Sequence, residues 1–140
     1  FKKMIEEGKL LEWAEFCGNF YGTPKDYVIG KLNEGLNVIL EIEVQGAAQI
    51  KKIFPEAVTV FLIPPDKEEL RKRLIGRGTE DMDTVEKRLK RASEEIELLP
   101  HYDFVVVNDT VENAVKRINT VVKAAKMGSQ RYIDKIKEFK

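Results

Sequence analysis

The chain has 140 residues, 43% of them hydrophobic, with Lys+Arg and Asp+Glu balanced at 24 each. A chain of that size is enough for one compact domain, which would bury roughly two thirds of its unfolded surface. Zero net charge argues against a general nucleic-acid or polybasic membrane binder, and a single cysteine, Cys17, leaves no disulfide framework and no zinc-ligand spacing.

Phe1–Glu7 has helical spacing in Phe1, Met4 and Ile5, and Gly8 stops it. Lys9–Thr23 reads as two short strands with a turn at Gly18-Asn19. Its aromatics Trp13, Phe16 and Phe20, and Cys17, are expected to pack inward. Thr23-Pro24 predicts the next helix start, with Thr23 as N-cap, and that helix runs to about Asn33 before Gly35. In Gly35–Gly46, the apolar run Val38, Ile39, Leu40, Ile42, Val44 predicts a central strand buried on both faces. A short helix follows to Phe54, and Ala57–Ile63 predicts a second buried strand ended by Pro64-Pro65. Asp66 with Glu69, and Asp83 with Glu86, have capping-box spacing and open two helices, the second running to about Leu99 before Pro100. Phe104–Val107 predicts a third buried strand. Thr110–Lys126 predicts an amphipathic helix with Val111, Ala114, Val115, Ile118, Val121 and Val122 inward, and a charged helix covers Gln130–Lys140. Strands alternating with helices imply a parallel sheet flanked by helices, with Lys9–Thr23 as a small antiparallel excursion.

Two patterns carry chemistry. Glu41 and Glu43, two apart at the end of the central strand, would face the same way. They either emerge into solvent or meet a cation or donor; ligands of open α/β sheets bind beyond the carboxyl ends of strands, which favours the second. Arg73 and Arg77 lead into a Gly-Arg-Gly-Thr turn, and Arg88 and Arg91 share a face of the next helix. Gly76 and Gly78 around Arg77 suit a flap closing on phosphate, which guanidinium grips bidentately. Lys72, Lys87, Lys90 and Arg91 read instead as a solvated face paired with Glu68, Glu69, Glu94 and Glu95. His101 reads as a loop residue.

The stretches LLEWAEFCGNFYGTP, ILEIEVQGA, RLIGRGTED and VVND resemble guanylate kinases in order and spacing, and the resemblance covers the chain to about Lys126. It implies a P-loop nucleoside monophosphate kinase fold: an α/β parallel sheet with helices on both faces, a small antiparallel GMP-binding region within 1–35, a core over 36–140 and a helical lid at about 76–84. The implied reaction moves the γ-phosphoryl of ATP to GMP, with Mg²⁺. By position, Glu12 would accept from the guanine edge, Tyr21 would donate to the GMP phosphate, and Thr23 would keep a hydroxyl near guanine. Glu43 would hold guanine and Glu41 would face the Mg²⁺ shell. Arg73, Arg77 and Arg88 would close on the phosphates, and Asn108 and Asp109 would lie near the adenine. The chain has Glu41-Ile42-Glu43 where many family members have Asp-Ile-Asp, and it contains no GxxxxGK[ST] run. Starting at Phe1 inside a helical pattern, it is expected to be the later part of a longer enzyme and inactive by itself. The competing readings are a guanylate kinase-like protein-binding module and a truncated paralogue. The lone Cys17 makes a reducing, cytoplasmic setting the expectation, and with no membrane-length apolar run, no signal-peptide pattern and zero net charge, no nucleic acid or membrane is expected as partner.

Overall fold

The computed structural model describes residues 1–76, 78 and 81–140, position 134 by its backbone alone. The chain packs as two compact units, Phe1–Ala57 and Val58–Lys140. The first contains an antiparallel strand pair and the second a parallel one, so the chain is mixed α/β.

The first unit runs α1 (Lys2–Glu6), β1 (Leu10–Phe16), β2 (Asn19–Pro24), α2 (Lys25–Asn33) and α3 (Val44–Ile53). The β1–β2 turn is Cys17-Gly18, one residue earlier than predicted, with φ of 51° and 80°. Positive φ at both central residues matches the right-handed twist of the flanking strands. Cys17 is consequently exposed at the hairpin tip and does not pack. Trp13 and Phe20 are exposed too, contrary to expectation; they pile on the hairpin surface, with Phe20 centred 6.3 Å from Trp13 and 5.7 Å from Phe1. The N-cap of α2 is Pro24, because Thr23 is drawn into β2 and its hydroxyl is used across the hairpin. The other end of α2 closes on Gly35 (φ 80°), where Gly35 N–H donates to Leu32 O at 2.9 Å and Leu36 N–H to Lys31 O at 3.1 Å. That paired closure needs the left-handed backbone glycine adopts freely.

The largest departure is the predicted central strand. Residues 36–43 form no ladder with any described strand. Their side chains still alternate: Val38, Leu40 and Ile42 pack on the core of Leu11, Val28 and Ile50, while Ile39 is 80% exposed and Glu41 is exposed. Apolar patterning orients side chains, but a strand exists only where a neighbour supplies hydrogen-bond partners. One face is buried here, not two.

The second unit runs β3 (Val60–Ile63), α4 (Lys67–Gly76), α5 (Met82–Glu95), β4 (Phe104–Val107), α6 (Val111–Lys126) and α7 (Ile133–Ile136). Short 3₁₀ segments cover Ile96–His101, Ser129–Tyr132 and Lys137–Phe139. Strands β3 and β4 pair in parallel, Val60 opposite Phe104 through Ile63 opposite Val107. The β4 bounds are those predicted; β3 starts later than Ala57. Leu74, Val85 and Leu89, with Leu70, form the core between α4 and α5.

Capping explains the helix starts. Asp66 accepts from Glu69 N–H at 2.7 Å, while the Glu69 carboxylate accepts from Arg73 Nε at 3.0 Å and so is turned along the helix. Asp81, not Asp83, caps α5: it accepts from Thr84 N–H at 2.8 Å, and that bond holds its carboxyl below the ordinary value. Thr110 caps α6 by accepting from Asn113 N–H at 3.1 Å. Helix α6 is amphipathic as expected, with Ala114 buried and Ile118, Val121 and Val122 half-buried, but Val111 and Val115, expected inward, are exposed. Among the described residues no helix is long and apolar enough to cross a membrane.

Candidate functional site

The singled-out residues fall in both units. Glu12, Tyr21, Thr23, Glu41 and Glu43 belong to the first; Arg73, Arg88, Asn108 and Asp109 belong to the second. Arg77 lies outside the described residues, as does part of the expected lid at 76–84.

In the first unit the register of β1 against β2 shifts between Leu10 and Glu12, so Leu10 opposes Pro24 and Glu12 opposes Thr23. Such an irregularity re-aims side chains, and here two consecutive residues, Leu11 and Glu12, are both buried, each with 3% exposure. A buried carboxylate is costly unless donors meet it. Thr23 Oγ1 donates to Glu12 Oε1 at 2.5 Å. Tyr21, two residues before Thr23 on β2 and opposite Ala14, is 52% exposed. Glu43 is the N-cap residue of α3, where the positive end of the helix dipole favours a carboxylate. Glu41 is exposed and Glu43 half-buried, and the segment that carries Glu41 forms no ladder with any described strand. Two residues of α3 that sequence reading does not single out also bear on Glu12. Gly46 lies so close to the Glu12 carboxylate that a Cβ there would overlap Oε2. The Gln49 side chain accepts from Trp13 N–H at 3.1 Å and donates to Trp13 O at 2.7 Å.

In the second unit the turn after β4 is stapled by two arginines. Arg73 Nη1 donates to Asn108 O at 2.8 Å and Nη2 to Asp109 O at 3.0 Å, while its Nε donates to Glu69. Arg73 therefore ties α4 to the turn. Each terminal nitrogen carries a second N–H, which leaves the guanidinium chemically able to meet a ligand as well. Arg117, absent from the sequence reading, donates to Val107 O at 2.6 Å and to both Asp109 oxygens, at 2.8 and 3.2 Å. No local pattern marks it: Arg117 lies well inside α6, away from the turn it holds. Arg88 sits half-buried on α5 between Val85 and Leu89. Arg91 pairs with Glu95 at 2.9 Å, as the paired-face reading expects.

Asp109 is pushed down to about 2, chiefly by the bond from Arg117 and then by Thr110 N–H. Because the folded value lies below the unfolded one, this contribution is fully present above about pH 4 and is lost as pH falls through about 2. A carboxyl NMR titration should place the Asp109 midpoint near 2 and, in Arg117→Ala, move it back toward 3.8. An unmoved midpoint in the variant would remove Arg117 as the main cause.

The chain is thus a mixed α/β protein with a buried acceptor backed by a hydroxyl in one unit, and, in the other, an arginine-held turn beyond a parallel strand. The guanylate kinase family profile matches residues 1–125. The chain is 54% identical to a guanylate kinase of Shouchella clausii over 139 residues, 99% of this chain and 68% of the relative. It is 59% identical to a guanylate kinase of Bacillus cereus over 122 residues, 87% of this chain and 60% of the relative. Its fold matches a crystal structure of guanylate kinase from Anaplasma phagocytophilum with a TM-score of 0.77 at 33% identity, covering 91% of this chain and 62% of that one. The chain belongs to the guanylate kinase family, and spans about two thirds of the length of these relatives.

Proposed function

We propose that the protein carrying this chain transfers the γ-phosphoryl group of ATP to GMP, giving ADP and GDP. A GMP phosphate oxygen attacks the γ-phosphorus in line, the bond from that phosphorus to the bridging oxygen breaks, and ADP leaves with the electron pair. Catalysis of this kind rests on positioning and charge neutralisation. The observation that carries the reading beyond family membership is the buried Glu12 carboxylate with the Thr23 hydroxyl on it. A carboxylate accepts from the N1–H and 2-amino groups of guanine, whereas adenine has no N1–H to offer.

In this reading residues 1–35 contribute to the GMP region and 36–140 form the core, with a lid at about 76–84. Tyr21 donates to the GMP phosphate and Glu43 holds guanine from the start of α3. Arg73, Arg77 and Arg88 meet the transferring phosphates, and Asn108 and Asp109 flank the adenine. Mg²⁺ keeps most of its water and takes one or two carboxylates plus substrate phosphates. Exposed Glu41 fits that minimal role through water, and the described residues hold no cluster of three or more ligating side chains for a protein-built cage. When bound, the ion neutralises phosphate charge.

The test is GDP formation from GMP and ATP·Mg²⁺, measured on residues 1–140 and on the full-length gene product. Turnover is expected from the full-length protein alone, since residues 1–140 contain no GxxxxGK[ST] run to cradle the donor phosphates. Inactivity of both would favour a protein-binding role for the fold, and robust turnover by the short chain would displace the assigned machinery.

A further inference from the structure

We propose that α3 sets guanine selectivity through two positioning residues, Gly46 and Gln49, neither of which touches the base. The inference rests on the reading of Glu12 as the guanine acceptor. Gly46 needs an explanation, since glycine weakens a helix interior and its backbone has none of the positive φ found at Gly8, Gly18, Gly35 and Gly78. Space is the explanation. An added Cβ at Gly30 or Gly76, the other helical glycines, would meet nothing within 4 Å, whereas at Gly46 it would overlap the Glu12 carboxylate. Gly46 is itself buried.

Gln49 lies three residues further on and so on the same face of α3. Its amide takes both the N–H and the C=O of Trp13, the residue after Glu12. One side chain thus fixes the height of β1 on the helix, and one missing side chain fixes how deep the Glu12 carboxylate can lie. Thr23 Oγ1 bonds the carboxylate directly, Gly46 leaves the space it occupies, and Gln49 ties down the backbone of the next residue. A site that discriminates by hydrogen bonds depends on such placement, and small displacements of a positioned group cost large factors.

The experiment compares wild type, Gly46→Ala, Glu12→Ala and the Gly46→Ala/Glu12→Ala double variant of the full-length protein. Steady-state kinetics use GMP and IMP, the latter lacking the 2-amino group, and thermal melting runs alongside. Gly46→Ala is expected to raise the KM for GMP by about tenfold or more. The ratio of GMP to IMP efficiency should fall while the KM for ATP and kcat at saturating GMP change little. In melting, the cost of Gly46→Ala should vanish in the Glu12→Ala background, because the overlapping group is gone. Gln49→Glu, which keeps the acceptor and loses the donor, should shift the GMP KM in the same direction by less.

An unchanged GMP-to-IMP ratio in Gly46→Ala overturns the inference, as does an equal loss toward GMP and ATP in step with lowered melting. Equal melting costs of Gly46→Ala with and without the Glu12 carboxylate overturn the packing argument. Wild type unable to use GMP overturns the functional reading itself, a result distinct from all of these.

Discussion

Glu12→Ala is expected to abolish efficient use of GMP while leaving ATP affinity and the fold in place. Sites built to hydrogen-bond a substrate reject analogues lacking the matching group by roughly four orders of magnitude, because the wrong partner leaves buried groups unpaired. Removing the acceptor creates the mirror image: guanine N1–H and its amino group lose their partner. A fall in kcat/KM for GMP on the order of a thousandfold follows, with the KM for ATP unchanged. Melting distinguishes a functional residue from a packed one. Glu12 is a carboxylate with 3% exposure, and its burial costs solvation that Thr23 offsets only in part. Deleting it should leave the melting temperature level or higher. Lost activity with a markedly lower melting temperature would assign Glu12 to structure, and unchanged GMP kinetics would remove it from the site.

Arg88→Ala is expected to lower kcat on the order of a hundredfold, since one preorganised cationic donor to a developing charge is worth about 3 kcal/mol. The KM for GMP should move little, because the interaction strengthens at the transition state. Arg88→Lys is the informative companion. Lysine keeps the charge but not the planar fork, so partial recovery would indicate charge and no recovery would indicate geometry. Arg88 sits beside the core residues Val85 and Leu89, and its aliphatic stem can contribute packing there. Melting of both variants separates the two roles: normal turnover in Arg88→Ala would end the catalytic assignment.

What could be read from sequence depended on how local the cause was. The hairpin, α2, β4 and α6 follow from turn residues, a helix-ending glycine, a β-branched run and a threonine cap, all set within a few residues. The start of α5 was displaced because Asp83 with Glu86 has the capping-box spacing, whereas the cap is Asp81, whose carboxylate takes Thr84 N–H without a glutamate in reply. Residues 36–43 have the apolar content of a buried strand, yet pairing is a property of the neighbour, which local sequence does not contain. Glu12 and Thr23 were separately legible, but their meeting depends on the register shift after Leu10. Gly46, Gln49 and Arg117 were invisible for the same reason: each acts on a group far away along the chain.

The clasp of Gln49 on Trp13 has a second consequence, for how the hairpin behaves among other chains. A two-stranded ribbon has open edges, and each exposed N–H and C=O on them can template a foreign strand. On β1 the Trp13 donor and acceptor are both taken by one side-chain amide from within the same unit. At that position Gln49 supplies the two hydrogen bonds of a further strand without offering an edge of its own, so a foreign strand cannot pair with Trp13.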